Sequence, residues 1–150
     1  MINIDGSWFS DGNDGGIGCI ARDHNGCWEW GFSMKAPLGS VDGVELGSAL
    51  LALQQAWTRR IPKVILETDS ENVFSWLMGF KKPPLHLVPN VEECMKLLRM
   101  PWTITLKKIS RNANGCADAL AKLRLHAWNE VVILDTPPPN VCSLLSVDSV

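Results

Sequence analysis

The spacing of apolar and polar positions changes period along this chain. From Ile2 to Trp8 the two kinds alternate, Ser10 to Gly16 is built of turn formers, and Ile17 to Arg22 is apolar. Asp23-His24-Asn25-Gly26 makes a tight turn, after which Cys27 to Ser33 alternates again. This pattern predicts three antiparallel strands joined by short turns. From Val41 to Arg59 the period lengthens: Leu46, Ala49, Leu50, Leu53 and Trp57 recur at helical spacing, with Ser40 placed to cap the start. Lys63 to Thr68 carries the continuous run Val64-Ile65-Leu66, expected of a central strand covered on both faces. A short helix beginning at Ser70 follows, with Val73, Phe74 and Leu77, then a linker from Gly79 to Pro89 and a helix over 91–99. Trp102, Ile104 and Leu106 alternate with polar residues as a half-buried strand, and a last helix runs from Gly115 to Asn129. The order is βββαβααβα, an α/β chain with a mixed sheet and flanking helices. Pro137-Pro138-Pro139 predicts an extended ending, so the expected division is a domain over 1–130 and a Pro-containing tail over 131–150.

Composition narrows the setting. A chain of 150 residues, 46% of them hydrophobic, supports one well-buried core. The net charge of −2 lacks the general basic excess of many nucleic-acid binders, although a local basic patch survives such an average. Cysteines at 19, 27, 94, 116 and 142 form no CxxC pair, and the three histidines are dispersed, which excludes a disulfide framework and a structural zinc site. Free thiols, with neither a signal-peptide pattern nor a membrane-length apolar run, predict an intracellular domain, nuclear or cytoplasmic, acting as a monomer.

Four carboxylates then stand out. Asp5 interrupts the first strand, Glu45 borders the apolar stripe of the first long helix, Asp69 closes the fourth strand, and Asp118 lies in the first turns of the last helix. Glu45 falls about 40° around the helix from Ala49, one turn nearer the N-terminus, where it overlooks the sheet. Asp69 occupies the carboxyl end of its strand, where open α/β sheets place ligands. Taken singly, Asp69 and Asp118 are ordinary helix-start carboxylates and Glu45 an ordinary solvated one; Asp5 is the hardest to explain structurally. Carboxylates that converge within a few ångströms raise one another's pKa and are held together by cations. Magnesium suits hard oxygen ligands, and two such ions about 4 Å apart activate a water and stabilise a leaving oxygen in phosphodiester cleavage.

Their order along the chain is more specific than any one of them. Asp5-Gly6-Ser7 followed by Gly15-Gly16-Ile17-Gly18, Glu45 early in the first helix, Thr68-Asp69-Ser70, and Asn114-Gly115-Cys116-Ala117-Asp118-Ala119-Leu120-Ala121 resemble the ribonuclease H family. Within it the chain looks like the plant, non-LTR-retroelement reverse-transcriptase-like type, from about Ile2 to Leu125, with Ala21-Arg22-Asp23 and the Arg111 to Asn114 spacing also in keeping. The resemblance implies a ribonuclease H-like fold with a five-stranded mixed sheet. It implies two-metal, Mg²⁺-dependent hydrolysis of the RNA strand of RNA/DNA hybrids, with Mn²⁺ able to substitute. By the same resemblance Asp5 bridges both ions, Glu45 and Asp69 complete one site and Asp118 the other, while Gly6, Ser7, Lys108, Arg111 and Asn114 contact substrate.

Three positions depart from that pattern. Lys108 stands ten residues before Asp118, where the family commonly has a His. Asn112 replaces a Glu in the segment Arg111 to Asn114, and Val41 and Asp42 stand where relatives often carry amides that read the minor groove. Lysine neutralises a phosphate but is a poor proton shuttle at neutral pH, which opens a second reading: a hybrid-binding domain of the same fold with weak or no turnover. A phosphoacceptor signalling domain would use Asp5 and Asp69 around one Mg²⁺, but such domains alternate strand and helix from the start, unlike this opening meander. Lys81, Lys82, Lys107, Lys108 and Arg111 are a candidate phosphate patch, though exposed lysines are usually only solvated. Trp57 and Trp128 read as core, Trp28 and Trp30 as sharing one strand face, and Asp11, Asp14 and Asp23 as turn residues.

Overall fold

A computed structural model describes residues 2–10, 15–36, 41–110, 115–123, 131–139, 141 and 144–145, with the backbone alone at 2–10, 15, 35, 36, 41, 118 and 131. The expected cap at Ser40, the turn residues Asp11 and Asp14, the segment Arg111 to Asn114 and Trp128 lie outside the described residues. The strands are β1 (Ile2–Ser10), β2 (Gly15–Arg22), β3 (Trp28–Ala36), β4 (Lys63–Thr68), β5 (Thr103–Lys108) and β6 (Val131–Leu134). The helices are α1 (Val41–Thr58), α2 (Glu71–Leu77), α3 (Val88–Leu98) and α4 (Gly115–Leu123).

One mixed sheet runs in the order β5-β4-β1-β2-β3-β6. The β1–β4 and β4–β5 pairs are parallel, and β1, β2, β3 and β6 pair antiparallel in succession. All five expected strands are present, and β6 is an addition to them. Val131 to Leu134, expected in an extended tail, pairs with Gly31 to Met34 instead. Val141 beyond the prolines is fully buried against Ile20, Cys116, Ala117 and Leu120. The strand stops at Leu134, two residues short of the prolines, and Val-Val-Ile-Leu is β-prone and finds the open edge of β3.

Alternation along β2 explains why both sheet faces are covered. Ile17, Cys19 and Ala21 join the core under α1, α2 and α3, together with Phe32, Leu46, Leu53, Val64 and Val73, while Ile20 points to the smaller core under α4. A register shift at Ala21/Arg22 breaks that alternation in β3, where Ala21 pairs with Trp30 and Arg22 with Trp28. The extra residue turns Trp28 to the α4 face, where its Nε1 donates to the Asp135 carbonyl at 2.9 Å, while Trp30 stays in the larger core. The two rings therefore occupy opposite faces, which corrects the shared face expected from simple alternation.

Helix α3 begins at Val88, three residues before the expected Val91, because Pro89 sits in the first turn, where no intrahelical N–H is needed. Helix α4 presses its backbone onto β2. A side chain at Gly18 would run into the Ala117 carbonyl and the Ala121 N–H, and would come within 2.7 Å of the Leu120 Cβ. Ser33 ties the same helix to β3 by donating to the Leu120 carbonyl at 2.7 Å, with the bond buried. None of the described cysteines, Cys19, Cys27, Cys94 and Cys116, is in a disulfide, and burial pushes the Cys94 thiol up to about 12 with help from the Glu93 charge. Among the described residues no helix is long and apolar enough to cross a membrane.

Candidate active site

Two of the four carboxylates meet through their side chains. Glu45 stands one turn into α1, and Asp69 leaves β4 immediately before α2. The Glu45 pKa is raised from 4.5 to about 7, first by burial and next by the charge of Asp69. A hydrogen bond from Ser70 opposes the rise, while one shared with Asp69 and the charge of Asp42 add to it. Glu45 borders a small pocket whose other walls are the apolar Ala49, Ala52, Leu66, Val73, Leu77 and Leu106 and the polar Ser48, Glu67 and Thr68. Near neutrality Glu45 is thus poised to hold a proton against the neighbouring Asp69 carboxylate.

Ser70 organises this pair and was legible in sequence only as a helix start. Its Oγ accepts the Val73 N–H at 3.1 Å as the N-cap of α2, which leaves its hydroxyl proton to donate toward Glu45. The first turns of α1 and α2 are also joined directly, Asn72 Nδ2 donating to Asp42 Oδ2 at 2.9 Å. Asp42 is committed to this helix-to-helix bond.

The other two acidic positions are placed by their backbone. Asp5 lies between Ile20 of β2 and Glu67 of β4, and Glu67 precedes Asp69 by two residues. Asp118 follows Ala117, whose carbonyl rests on Gly18; Gly18 pairs in turn with Ser7, two residues along β1 from Asp5. Gly6 and Ser7 stand in the same strand, opposite Cys19 and Gly18. The side chains of Asp5 and Asp118, and the whole of Arg111 and Asn114, lie outside what the structure describes. Among the described residues no third Asp, Glu, His or Cys joins Glu45 and Asp69 as a metal cluster.

Lys108 ends β5 opposite Thr68, and its Nζ lies 3.6 Å from Glu71 Oε2 in an exposed ion pair. Lys81 and Lys82 are exposed on the connection between α2 and α3, well along the chain from Lys107 and Lys108 on β5.

A profile of reverse-transcriptase-like proteins matches residues 3–124, which takes in both ends of this acidic arrangement. The chain belongs to the reverse-transcriptase-like family. Over 150 residues this family member is 31% identical to a protein of Arabidopsis thaliana provisionally named a ribonuclease H protein. That match takes in 99% of the chain but only 24% of the relative, so the chain spans about a quarter of that protein's length. Solved structures agree on the fold. A ribonuclease H1 from the archaeon Halobacterium salinarum superposes with a TM-score of 0.75 at 20% identity, over 83% of this chain and 96% of that one. A ribonuclease H1 in complex with an RNA/DNA hybrid gives 0.72 at 20% identity, over 81% and 94%. The N-terminal ribonuclease H domain of a Mycobacterium tuberculosis protein gives 0.70 at 19%, over 83% and 92%. The fold of this reverse-transcriptase-like domain is therefore ribonuclease H-like.

The donor set suits a hard divalent cation, being all oxygen and short of positive charge. The sign of its pH dependence follows. Because folding raises the Glu45 pKa, the group's contribution to stability is complete below about 4.5 and is lost as pH rises through about 7. An Mg²⁺ ion held at this pair would have to displace the Glu45 proton, so adding Mg²⁺ is expected to raise the melting temperature more at pH 8 than at pH 5.5, and Glu45→Gln should remove most of that difference. Thermal melts of both proteins with and without the ion check this; an equal Mg²⁺ effect at the two pH values would contradict it.

Proposed function

We propose that this domain hydrolyses the RNA strand of RNA/DNA hybrids, with Asp5, Glu45, Asp69 and Asp118 holding two Mg²⁺ ions for which Mn²⁺ can substitute. The observation that carries the reading is the Glu45–Asp69 pair, two carboxyls pressed together at the end of a strand on a ribonuclease H-like fold. When bound, the ions would supply a nucleophilic water and stabilisation of the leaving oxygen. The chain's own part is positioning. Ser70 donates toward Glu45, and the Asp42–Asn72 bond fixes α1 against α2. Lys108, at the end of the neighbouring strand, is placed to neutralise a phosphate once it leaves Glu71.

That ion pair also favours the second reading, hybrid binding with little turnover, because Lys108 takes the place of a proton-shuttling group and is tethered besides. A 5′-labelled hybrid incubated with Mg²⁺ or Mn²⁺ separates them. Cleavage of the RNA strand supports the enzyme. Binding without cleavage, with cutting gained in Lys108→His by about tenfold or more, supports the binding domain. Neither binding nor cutting would sink both.

A further inference from the structure

The end of the domain away from the acidic pair is basic and aromatic in a chain whose net charge is −2. Two segments meet there, residues 57–63 from the end of α1 into β4 and residues 99–103 from the end of α3 into β5, joined where the Thr103 N–H donates to the Pro62 carbonyl at 2.9 Å. Together they hold Arg59, Arg60, Lys63 and Arg99, and neither contains an acidic residue. An open groove between them is lined by Trp57, Arg60, Ile61, Pro62, Pro101 and Trp102. The two indoles pack edge to face at 5.2 Å and 83°, both only half-buried. Trp102 spends its one polar atom inward, Nε1 donating to the Leu97 carbonyl at 2.7 Å, so what it offers the groove is ring surface. Trp57, expected in the core, is therefore part of a surface.

Arg60 adds an independent sign. Its φ of 57° puts it in the left-handed region at the C-terminus of α1, where its N–H donates to the Trp57 carbonyl at 2.9 Å and that of Ile61 to the Ala56 carbonyl at 3.2 Å. Such a cap is normally a glycine, and a side chain there costs about 1 kcal/mol. Here the position carries an exposed guanidinium on the wall of an aromatic groove. Arg59 is engaged elsewhere, over the Trp30 ring at 4.9 Å and 3.8 Å from Asp135, which leaves Arg60, Lys63 and Arg99 as the exposed cations of this surface.

We infer that this pole is a second nucleic-acid surface, one that binds a single strand by stacking a base on the tryptophans and pairing its phosphates with Arg60, Lys63 and Arg99. Flat aromatic surface interleaved with cations is what an unpaired strand requires, whereas a duplex hides its base faces and an acidic peptide has no use for the rings. The surface is separate from the hydrolytic site: Trp57 lies twelve residues along α1 from Glu45, about 18 Å at helical rise. It would hold the unpaired extension of a strand whose paired part lies elsewhere, and it does not depend on the hydrolytic reading.

The test uses the full chain in EDTA, so that cation-dependent binding at the acidic pair does not contribute, and a fluorescein-labelled twelve-nucleotide oligouridylate followed by anisotropy. Arg60→Glu combined with Lys63→Glu is expected to weaken binding at least about tenfold and to flatten the log-affinity against log-salt slope by roughly 1.4. Trp57→Leu combined with Trp102→Leu should abolish the quenching of tryptophan emission by the oligonucleotide, and quenching that persists at the wild-type level would overturn the stacking. Hybrid handling at the acidic site should be unchanged in the charge variant. Failure of the wild-type chain to bind the strand, or unchanged binding in the charge variant, would overturn the inference. Equal competition by polyglutamate at matched charge would also overturn it, pointing to an acidic protein partner instead.

Discussion

Asp69→Asn is expected to leave the domain folded and to reduce hybrid cleavage by about a thousandfold or more, since losing an ion's worth of charge stabilisation amounts to several kcal/mol of barrier. The same substitution has a consequence that needs no substrate. The charge of Asp69 and its hydrogen bond both hold the Glu45 pKa up, so neutral Asn at that place should let Glu45 fall part of the way from about 7 toward its ordinary range, with burial, the largest cause, and the Asp42 charge opposing the fall. Carboxyl carbon NMR titration of the variant reads this directly. Lost cleavage with an unmoved Glu45 would mean that the two side chains do not share a proton. A moved Glu45 with cleavage intact would mean that the pair is structural and the proposed chemistry lies elsewhere.

What could be read from sequence, and what could not, divides along physical lines. The meander, α1 and β4 follow from local periodicity, which a strand or helix cannot violate along its whole length. Leu46 and Leu53 are fully buried, and Val64 and Leu66 are 2% exposed, as their spacing requires. The side of Trp28 was not legible because one extra residue at the β2–β3 bulge reverses every later side chain, and nothing in Cys27-Trp28-Glu29-Trp30 marks where it sits. β6 was hidden by the prolines beyond it, which mark an extended ending but not that an edge is open to receive a strand. At the acidic site, Glu45 and Asp69 could be chosen by position in their elements, but the raised Glu45 pKa depends on burial that only the assembled fold supplies. Ser70 and Asn72 escaped because their roles lie between elements, one as a cap that also bonds Glu45 and the other as a bridge from α2 to α1.

One methyl group should act oppositely at two glycines. Gly47→Ala lies in α1 with nothing within 4 Å of the added carbon, so it should stabilise the domain by about 0.5–1 kcal/mol through helix propensity. Gly18→Ala places the same atom against the Ala117 carbonyl, the Ala121 N–H and the Leu120 Cβ, two of them helix backbone that cannot rotate away. Overpacking of this kind costs about 3 kcal/mol, which lowers the melting temperature by roughly 6–12 °C in a chain of this size. Because β2 is hydrogen-bonded on both sides, by β1 and β3, the strain is relieved at α4, which must stretch the buried Ser33–Leu120 bond to lift from the sheet. Lifting α4 carries its first turns, and Asp118 with them, away from β1. Gly18→Ala should therefore lose Mg²⁺-induced stabilisation in addition to its loss in the metal-free state, whereas Gly47→Ala should keep the full Mg²⁺ response. Melts of the two variants with and without the ion decide this: a Gly18→Ala protein that is destabilised yet responds normally to Mg²⁺ would show that α4 does not hold the cation.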